Sequence, residues 1–252
     1  MSAEAIAARL LEAHASGRQL DPASGPAPAD VAEAYRIQDI VARSLGKGQR
    51  VPAWKVIPPE PGAEPHAAPI PAGRVFASPA RLPAAGLHMI GIECEIAFRF
   101  ARELPARTAP YSDDEVAAAV GEAIVTIEIC DTRLKGWKDA SALWKLADLQ
   151  SNSALVAGSG VRHWRAIDFG AQSVELWIDG ERRAQAKGSH ACVNPFLIVP
   201  WIANHCGARC GGLRGGDVVT AGSWTGITFV KPGAEIVARF PGIGEAAATI
   251  LS

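Results

Sequence analysis

Hydrophobic and polar positions alternate most strictly over residues 92–100. Ile92, Cys94, Ile96, Phe98 and Phe100 share one side of an extended chain, and Glu93, Glu95, Ala97 and Arg99 share the other. A period of two in a run rich in Ile and Phe predicts a β-strand with an acidic face. Residues 123–131 predict a second strand, apolar on both faces except at Glu128. Between them, Ser112 and Glu115 form a capping box that opens a helix through Ala118 and Glu122. Nearer the start, Ile6, Leu10 and Ala13 make one stripe of a helix over 3–16 that stops at Gly17. After a loop at 17–29, Asp30 and Glu33 open a helix that carries Val31, Tyr35, Ile37, Val41 and Leu45 and ends at Gly46.

Residues 51–57 predict a short strand, and 58–88 hold eight prolines with almost no periodicity. A connection that long often forms a lid or a substrate wall. Residues 132–150 read as irregular or weakly helical. Residues 174–178 and 182–187 are strands joined by a hairpin turn at Asp179-Gly180. Asn194-Pro195 opens a helix carrying Phe196, Val199, Ile202 and Cys206. Strands follow at 218–220 and 234–240, the latter read as the last, with a tight turn over 222–226 between them. The chain thus divides into a helical N-terminal region, 1–50, and a strand-dominated region, 51–252.

Two residues along a strand rise about 6.6 Å, so Glu93 and Glu95 reach a common cation from one face. Glu128, in its apolar run, must be neutralised, paired or bound to metal, because an unpaired buried charge is expensive. A salt bridge to Arg133 or Lys135 is the alternative to a metal. Three carboxylates with no Cys/His ligand pattern suit a hard, oxygen-loving ion. Mg²⁺ fits best, since it takes few protein carboxylates and keeps positions for water or substrate. Lys55 lies among apolar neighbours, where a lysine either snorkels its ammonium to water or serves catalysis.

Composition mainly excludes. A net charge of −1 argues against a nucleic-acid or anionic-membrane partner. The longest dense apolar run, 196–203, is too short for a bilayer and contains Pro200. The N-terminus has no continuous apolar core of the secretory kind. Cysteines 94, 130, 192, 206 and 210 are odd in number, form no CxxC pair, and lack a histidine to complete a zinc site. A reduced, cytoplasmic protein is the expectation. Ser223 with His190 or His205 lacks the Gly-x-Ser-x-Gly elbow of a serine hydrolase.

The blocks Glu93-Cys-Glu95-Ile-Ala-Phe, Ile127-Glu128-Ile-Cys-Asp131-Thr-Arg133 and Ala147-Asp148-Leu-Gln-Ser-Asn152 resemble the fumarylacetoacetate hydrolase superfamily. The likeness is greater to its 2-keto-4-pentenoate hydratase branch, which includes 4-oxalocrotonate decarboxylases. It extends to Trp54-Lys55, to 200–204, to 213–223 and to Gly242-Ile-Gly244. The resemblance implies an α+β fold, a mixed β-roll with a helical N-terminal region, so that 51–252 would be the catalytic roll. It implies Mg²⁺ or Mn²⁺ held by Glu93, Glu95 and Glu128, with Lys55 catalytic beside the substrate. Asp148, Asn152 and Ser223 match segments that border the substrate pocket. Homo-oligomers are usual in the family, and its decarboxylases are found complexed with hydratases.

The implied function is a divalent-metal-dependent hydratase, a lyase of 2-hydroxy-2,4-dienoate or 2-keto-4-pentenoate-type 2-oxo acids, acting through a metal-stabilised enolate. Decarboxylation or C–C hydrolysis on the same site, or a non-catalytic partner subunit, are the alternatives. The chain departs from the hydratases after Lys55, where they read Gly then Thr/Ser with an acidic residue in the next loop. No Asp occurs from 57 to 92, and Glu60, Glu64 and His66 are the candidates to replace it. The pocket walls are expected from the proline-rich stretch and from Trp137, Trp144 and Trp224. At least two of these tryptophans suit core or interface positions.

Overall fold

The computed structural model describes residues 2–59 and 63–252; Glu60 lies outside the described residues. Two helices come first, α1 (Ala3–Ser16) and α2 (Val31–Leu45). Gly17 closes α1 in the left-handed conformation, and the Asp30 side chain caps α2 through the Glu33 N–H. Short strands follow: β1 (Ala53–Ile57), β2 (His66–Ile70), β3 (Val75–Ala77) and β4 (Ala80–Pro83). The proline-rich stretch is therefore less irregular than its sequence predicts. Its strands β2, β3 and β4 each lie at the end of a sheet, where a missing N–H leaves no ladder bond unmade.

The centre of the chain supplies β5 (Gly91–Phe100), β6 (Leu104–Pro105), α3 (Asp113–Ala119), β7 (Val120–Cys130), α4 (Ala142–Ala147) and β8 (Asn152–Val161). Helix α3 stops at Ala119, short of Glu122, because Val120 is already extended and begins β7. Then come β9 (Ser173–Ile178), β10 (Glu181–Lys187), α5 (Val199–Cys210), β11 (Gly212–Leu213), β12 (Val218–Ser223), β13 (Thr228–Phe229), β14 (Glu235–Phe240) and β15 (Gly244–Leu251). Strand β15 corrects the expectation that 234–240 ends the sheet structure. Its inward positions Ala246 and Ala248 are small, so its alternation carries little hydrophobic signal.

An eight-stranded mixed sheet runs β2-β1-β12-β5-β7-β8-β3, with β13 also on β5, and a five-stranded sheet runs β10-β9-β14-β15-β4. One apolar core fills the space between them, with Ile96, Phe98, Ile127 and Val156 from the first sheet and Leu176, Ile236 and Phe240 from the second. The sheets touch where a Cβ on Gly158 would lie 2.2 Å from the Glu245 carbonyl oxygen, so only glycine fits there. The other face of the large sheet is covered as well. Ala53, Ala97, Ile124, Leu155 and Val218 form a smaller buried cluster on it. This curling of the sheet encloses the acidic face of β5, which alternation alone would place in solvent. The result is the mixed β-roll. Helices α1 and α2 add a third cluster with Leu134, Trp144, Leu146 and Leu149. No described helix is long and apolar enough to cross a membrane.

Candidate metal and substrate site

Strand register brings the carboxylates together. Glu93 on β5 is directly opposite Glu128 on β7, and Glu95 is opposite Thr126. Directly opposed residues share a face of the sheet with Cβ atoms about 5 Å apart. On the other side of β5, the pairing with β12 slips between Thr220 and Ser223. Gly222 takes up the slip at φ 105°. Its N–H donates to Glu95 Oε2 at 3.1 Å, and the Thr220 hydroxyl donates to the same oxygen. A side chain at Gly222 would meet the Pro58 ring at 2.9 Å and His190 Nε2 at 3.2 Å.

Strand β1 lies parallel to β12 with Lys55 opposite Thr220. Lys55 Nζ donates to Glu128 Oε1 at 2.7 Å and to the Gln150 carbonyl at 3.2 Å. Asn152 Nδ2 donates to the same Glu128 oxygen at 3.0 Å. Glu128 is thus paired with Lys55, and neither Arg133 nor Lys135 takes that place. Its second oxygen, Oε2, is buried with no hydrogen-bond partner among the described residues. Cys130 Sγ donates to Glu93 Oε2 at 3.4 Å. Ligand atoms of Glu93, Glu128 and Cys130 lie within 4.8 Å of one another. Cys130 is not among the site residues that the sequence points to. Its even-numbered spacing from Glu128 along β7 is the signal that places it on the acidic face.

Burial makes this cluster electrostatically tense. Glu128 is 0% exposed, Glu95 1% and Lys55 6%. Burial, with Glu128 and Glu93 beside it, pushes Glu95 up to about 8. Burial raises Glu128 as well, against the pull of Lys55. For Lys55 burial alone favours the neutral amine, but Glu128, Cys130, Glu93 and Glu95 outweigh it and push the group upward. Burial raises the Cys130 thiol, so it sits there as a protonated donor. Carboxylates outnumbering their one ammonium, together with an orphaned carboxylate oxygen, describe a site short of positive charge. Oxygen donors of this kind fit a hard dication.

A cavity of about 270 Å³ opens onto the cluster, lined by Lys55, Glu93, Glu95, Cys130 and Ser223, with Ile57, Pro58, Trp137 and Ile227 as apolar wall. Trp137 Nε1 donates to Ser151 Oγ at 2.8 Å. Of the other two tryptophans, Trp144 is in the helical cluster and Trp224 in the main core. Asn152 stands behind Glu128, and the Ser223 hydroxyl donates to the Gly226 carbonyl at 3.2 Å. Asp148 is more remote. Its Oδ1 accepts from Arg133 Nε at 2.6 Å, and its Oδ2 from the Arg133 N–H at 3.0 Å and Thr132 Oγ1 at 3.1 Å. It leads into Leu149, Gln150 and Ser151, all left-handed at φ 52°, 50° and 59°. That strained turn aims the Gln150 carbonyl at Lys55, so Asp148 acts on the pocket through the backbone. Glu64 accepts from Trp201 Nε1 at 2.8 Å, and His66 packs edge-on to Tyr35. Neither lines the cavity. His190 donates from Nε2 to the Ala221 carbonyl at 2.7 Å, and His205 stacks on Trp201, so neither activates Ser223.

The β-roll and its acidic mouth define a class: the chain belongs to the fumarylacetoacetate hydrolase family, matching the fumarylacetoacetate (FAA) hydrolase C-terminal family over residues 33–251. Within it, the chain is 31% identical to the 2-keto-4-pentenoate hydratase of Burkholderia vietnamiensis (strain G4 / LMG 22486), over 98% of this chain and 97% of that protein. Among solved structures it resembles 4-oxalocrotonate decarboxylase from Pseudomonas putida G7, complexed with magnesium and adipate. That likeness has a TM-score of 0.84 at 19% identity, covering 100% of this chain and 99% of the other. A more distant likeness is to fumarylpyruvate hydrolase from Pseudomonas aeruginosa in complex with Mn²⁺ and pyruvate. It has a TM-score of 0.57 at 16% identity, covering 79% of this chain and 88% of that one.

Proposed function

We propose that this chain is a divalent-metal-dependent hydratase of 2-hydroxy-2,4-dienoate or 2-keto-4-pentenoate-type acids. The observation that carries this reading is Glu93 set opposite Glu128, with Lys55 bonded to Glu128, Glu95 lining the same cavity, and Glu128 Oε2 without a partner among the described residues. The full-length likeness to a 2-keto-4-pentenoate hydratase supports it. The magnesium and Mn²⁺ in the two structural relatives support a divalent ion, for which Mg²⁺ or Mn²⁺ is our choice. Glu93, Glu95 and Glu128 would hold that ion, which supplies positive charge for the oxygens of a 2-oxo acid as negative charge develops on them.

The chain's own groups do the rest. Thr220 and the Gly222 N–H fix one oxygen of Glu95, which lines the cavity. Glu128 and the Gln150 carbonyl hold Lys55 Nζ at the cavity wall as an ammonium, from which it gives a proton to the substrate carbon. Ile57, Trp137 and Ile227 shield that exchange from bulk water. The partner is thus a small 2-oxo acid, and the assembly expected is a homo-oligomer.

Turnover of 2-hydroxypenta-2,4-dienoate, followed by loss of its dienol absorbance, tests this. Activity should vanish on chelation, return with Mg²⁺ or Mn²⁺, and be absent in folded Glu93→Ala protein. Metal-independent turnover would discard the reading. Decarboxylation is a second reading, with an observation of its own. Apart from Glu93 and Glu95, no carboxylate and no histidine among the described residues lines the cavity to activate a water. Decarboxylation needs no such base. Released CO₂ from a 2-oxo-hexenedioate would favour it over hydration.

A further inference from the structure

A second cavity, of about 320 Å³, lies away from the carboxylate cluster. Ile129, which lines it, leaves β7 on the face opposite Glu128. Phe76, Leu82 and Leu87 extend its apolar wall, and Arg74, Arg133, His14 and Asp131 supply its charged and polar groups.

The charges balance in number, Arg74 and Arg133 against Asp131 and Asp148, but they are unevenly paired. Arg133 is committed to Asp148 through Nε at 2.6 Å and reaches Asp131 Oδ2 at 3.7 Å. Asp131 Oδ1 in turn accepts the His88 and Met89 N–H groups at 2.8 and 3.0 Å. Arg74 donates to the Ser153 carbonyl at 3.0 Å and has no carboxylate partner among the described residues. It is partly buried, and burial together with Arg133 lowers it from its ordinary value. His14 Nε2 is buried with no hydrogen-bond partner among the described residues. Burial, with Arg133 and Arg74 nearby, pushes that imidazole down to about 2, so it is neutral and can donate one N–H. One guanidinium without a direct ion pair and one imidazole nitrogen without a partner, both counted among the described residues, thus line the cavity beside a hydrocarbon wall.

We propose that this cavity is a second ligand site, for a small monocarboxylate with a short hydrocarbon tail. Arg74 pairs with the carboxylate, His14 Nε2–H donates to it, and Phe76, Leu82 and Leu87 receive the tail. Asp131 on the same wall repels a dianion, which sets phosphate and dicarboxylates apart from the favoured ligand. The site is independent of the reading given to the first cavity.

The test is titration of the metal-stripped full chain with butanoate, followed by amide and imidazole NMR shifts. Without metal, the carboxylate-lined cavity repels anions. Saturable shifts at His14, Ile129 and Ser153 are expected. Arg74→Met should weaken them roughly tenfold or more, Arg74→Lys should retain much of the affinity, and inorganic phosphate should bind far less well. Should Arg74→Met fail to fold, His14→Phe, which removes the second donor, tests the same contact. Unsaturable shifts, shifts centred on Lys55, or equal binding by wild type and both folded variants would overturn the proposal.

Discussion

Glu128 and Asp148 are both 0% exposed and both face a cation across a bond of 2.6–2.7 Å. Asp148 has partners on each oxygen: Arg133 Nε on one, the Arg133 N–H and Thr132 hydroxyl on the other. Among the described residues Glu128 accepts from Lys55 and Asn152 on a single oxygen and leaves the other with none. It also stands opposite a second carboxylate, Glu93, whereas Asp148 faces the Arg133 guanidinium, which reaches Asp131 at 3.7 Å as well. A buried polar atom left unpaired destabilises by about 1–3 kcal/mol, and more when charged. Saturation therefore marks the pair that holds the fold, and shortfall marks the one able to take a further cation. Substitution at the two positions should then separate stability from activity.

The largest effect is expected at Glu128. Glu128→Gln keeps the shape and a contact to Lys55 while removing a charge the cluster already has in excess. Turnover should fall on the order of a thousandfold, about 4 kcal/mol in the barrier, with metal-free stability little changed. Asp148→Asn should do the reverse. It leaves Arg133 buried against a neutral amide, which destabilises by roughly 3 kcal/mol, read as a lower urea midpoint. Turnover by the folded fraction should stay within about tenfold, since Asp148 reaches the pocket only through the turn at 149–151. Greater destabilisation in Glu128→Gln than in Asp148→Asn would break the comparison.

The two pairs were unequally legible in the sequence. Glu93 and Glu95 are exposed by the period of β5 and Glu128 by its isolation, because strand alternation is a local property. Partnership is not local. Lys55 lies 73 residues from Glu128 and meets it only because β1, β12, β5 and β7 are neighbours in that order. Proximity along the chain pointed to Arg133 and Lys135 instead, but the chain has left β7 by Arg133, which turns to Asp148. The left-handed run at 149–151 contains no glycine, so nothing in its composition announces it. The alanines of β15 hide a strand for want of hydrophobic contrast. Asp148 matched a family block, but a block match does not say which way a side chain faces.

A smaller effect sharpens the comparison at the bulge of β12. Gly222→Ala puts a methyl group into φ 105° and against Pro58 at 2.9 Å. The expected loss is about 1–2 kcal/mol of stability, with kcat/KM lowered roughly tenfold as the N–H moves off Glu95. Pro58→Ala in the same chain should restore part of both, because the ring is what the new methyl group strikes. If the double variant were no better than Gly222→Ala, the backbone conformation alone would be responsible, and the bulge would matter for φ rather than for space.

The smallest effect tests whether the open cluster is a hard site or a mixed one. Cys130 lies within ligand distance of Glu93 and Glu128, yet burial keeps its thiol protonated and donating to Glu93. A protonated sulfur is a poor ligand for Mg²⁺, whereas Zn²⁺ or Cd²⁺ binds a thiolate and drives off its proton. Cys130→Ser preserves a donor of similar size to Glu93. Mg²⁺ affinity and Mg²⁺-supported turnover should therefore stay within about threefold of wild type, while Cd²⁺ affinity falls by roughly tenfold or more. Calorimetric titration with each metal separates the outcomes. An equal loss of both would mean that Cys130 acts by orienting Glu93, and the two carboxylates across the β5–β7 ladder would then depend on a third side chain for their geometry.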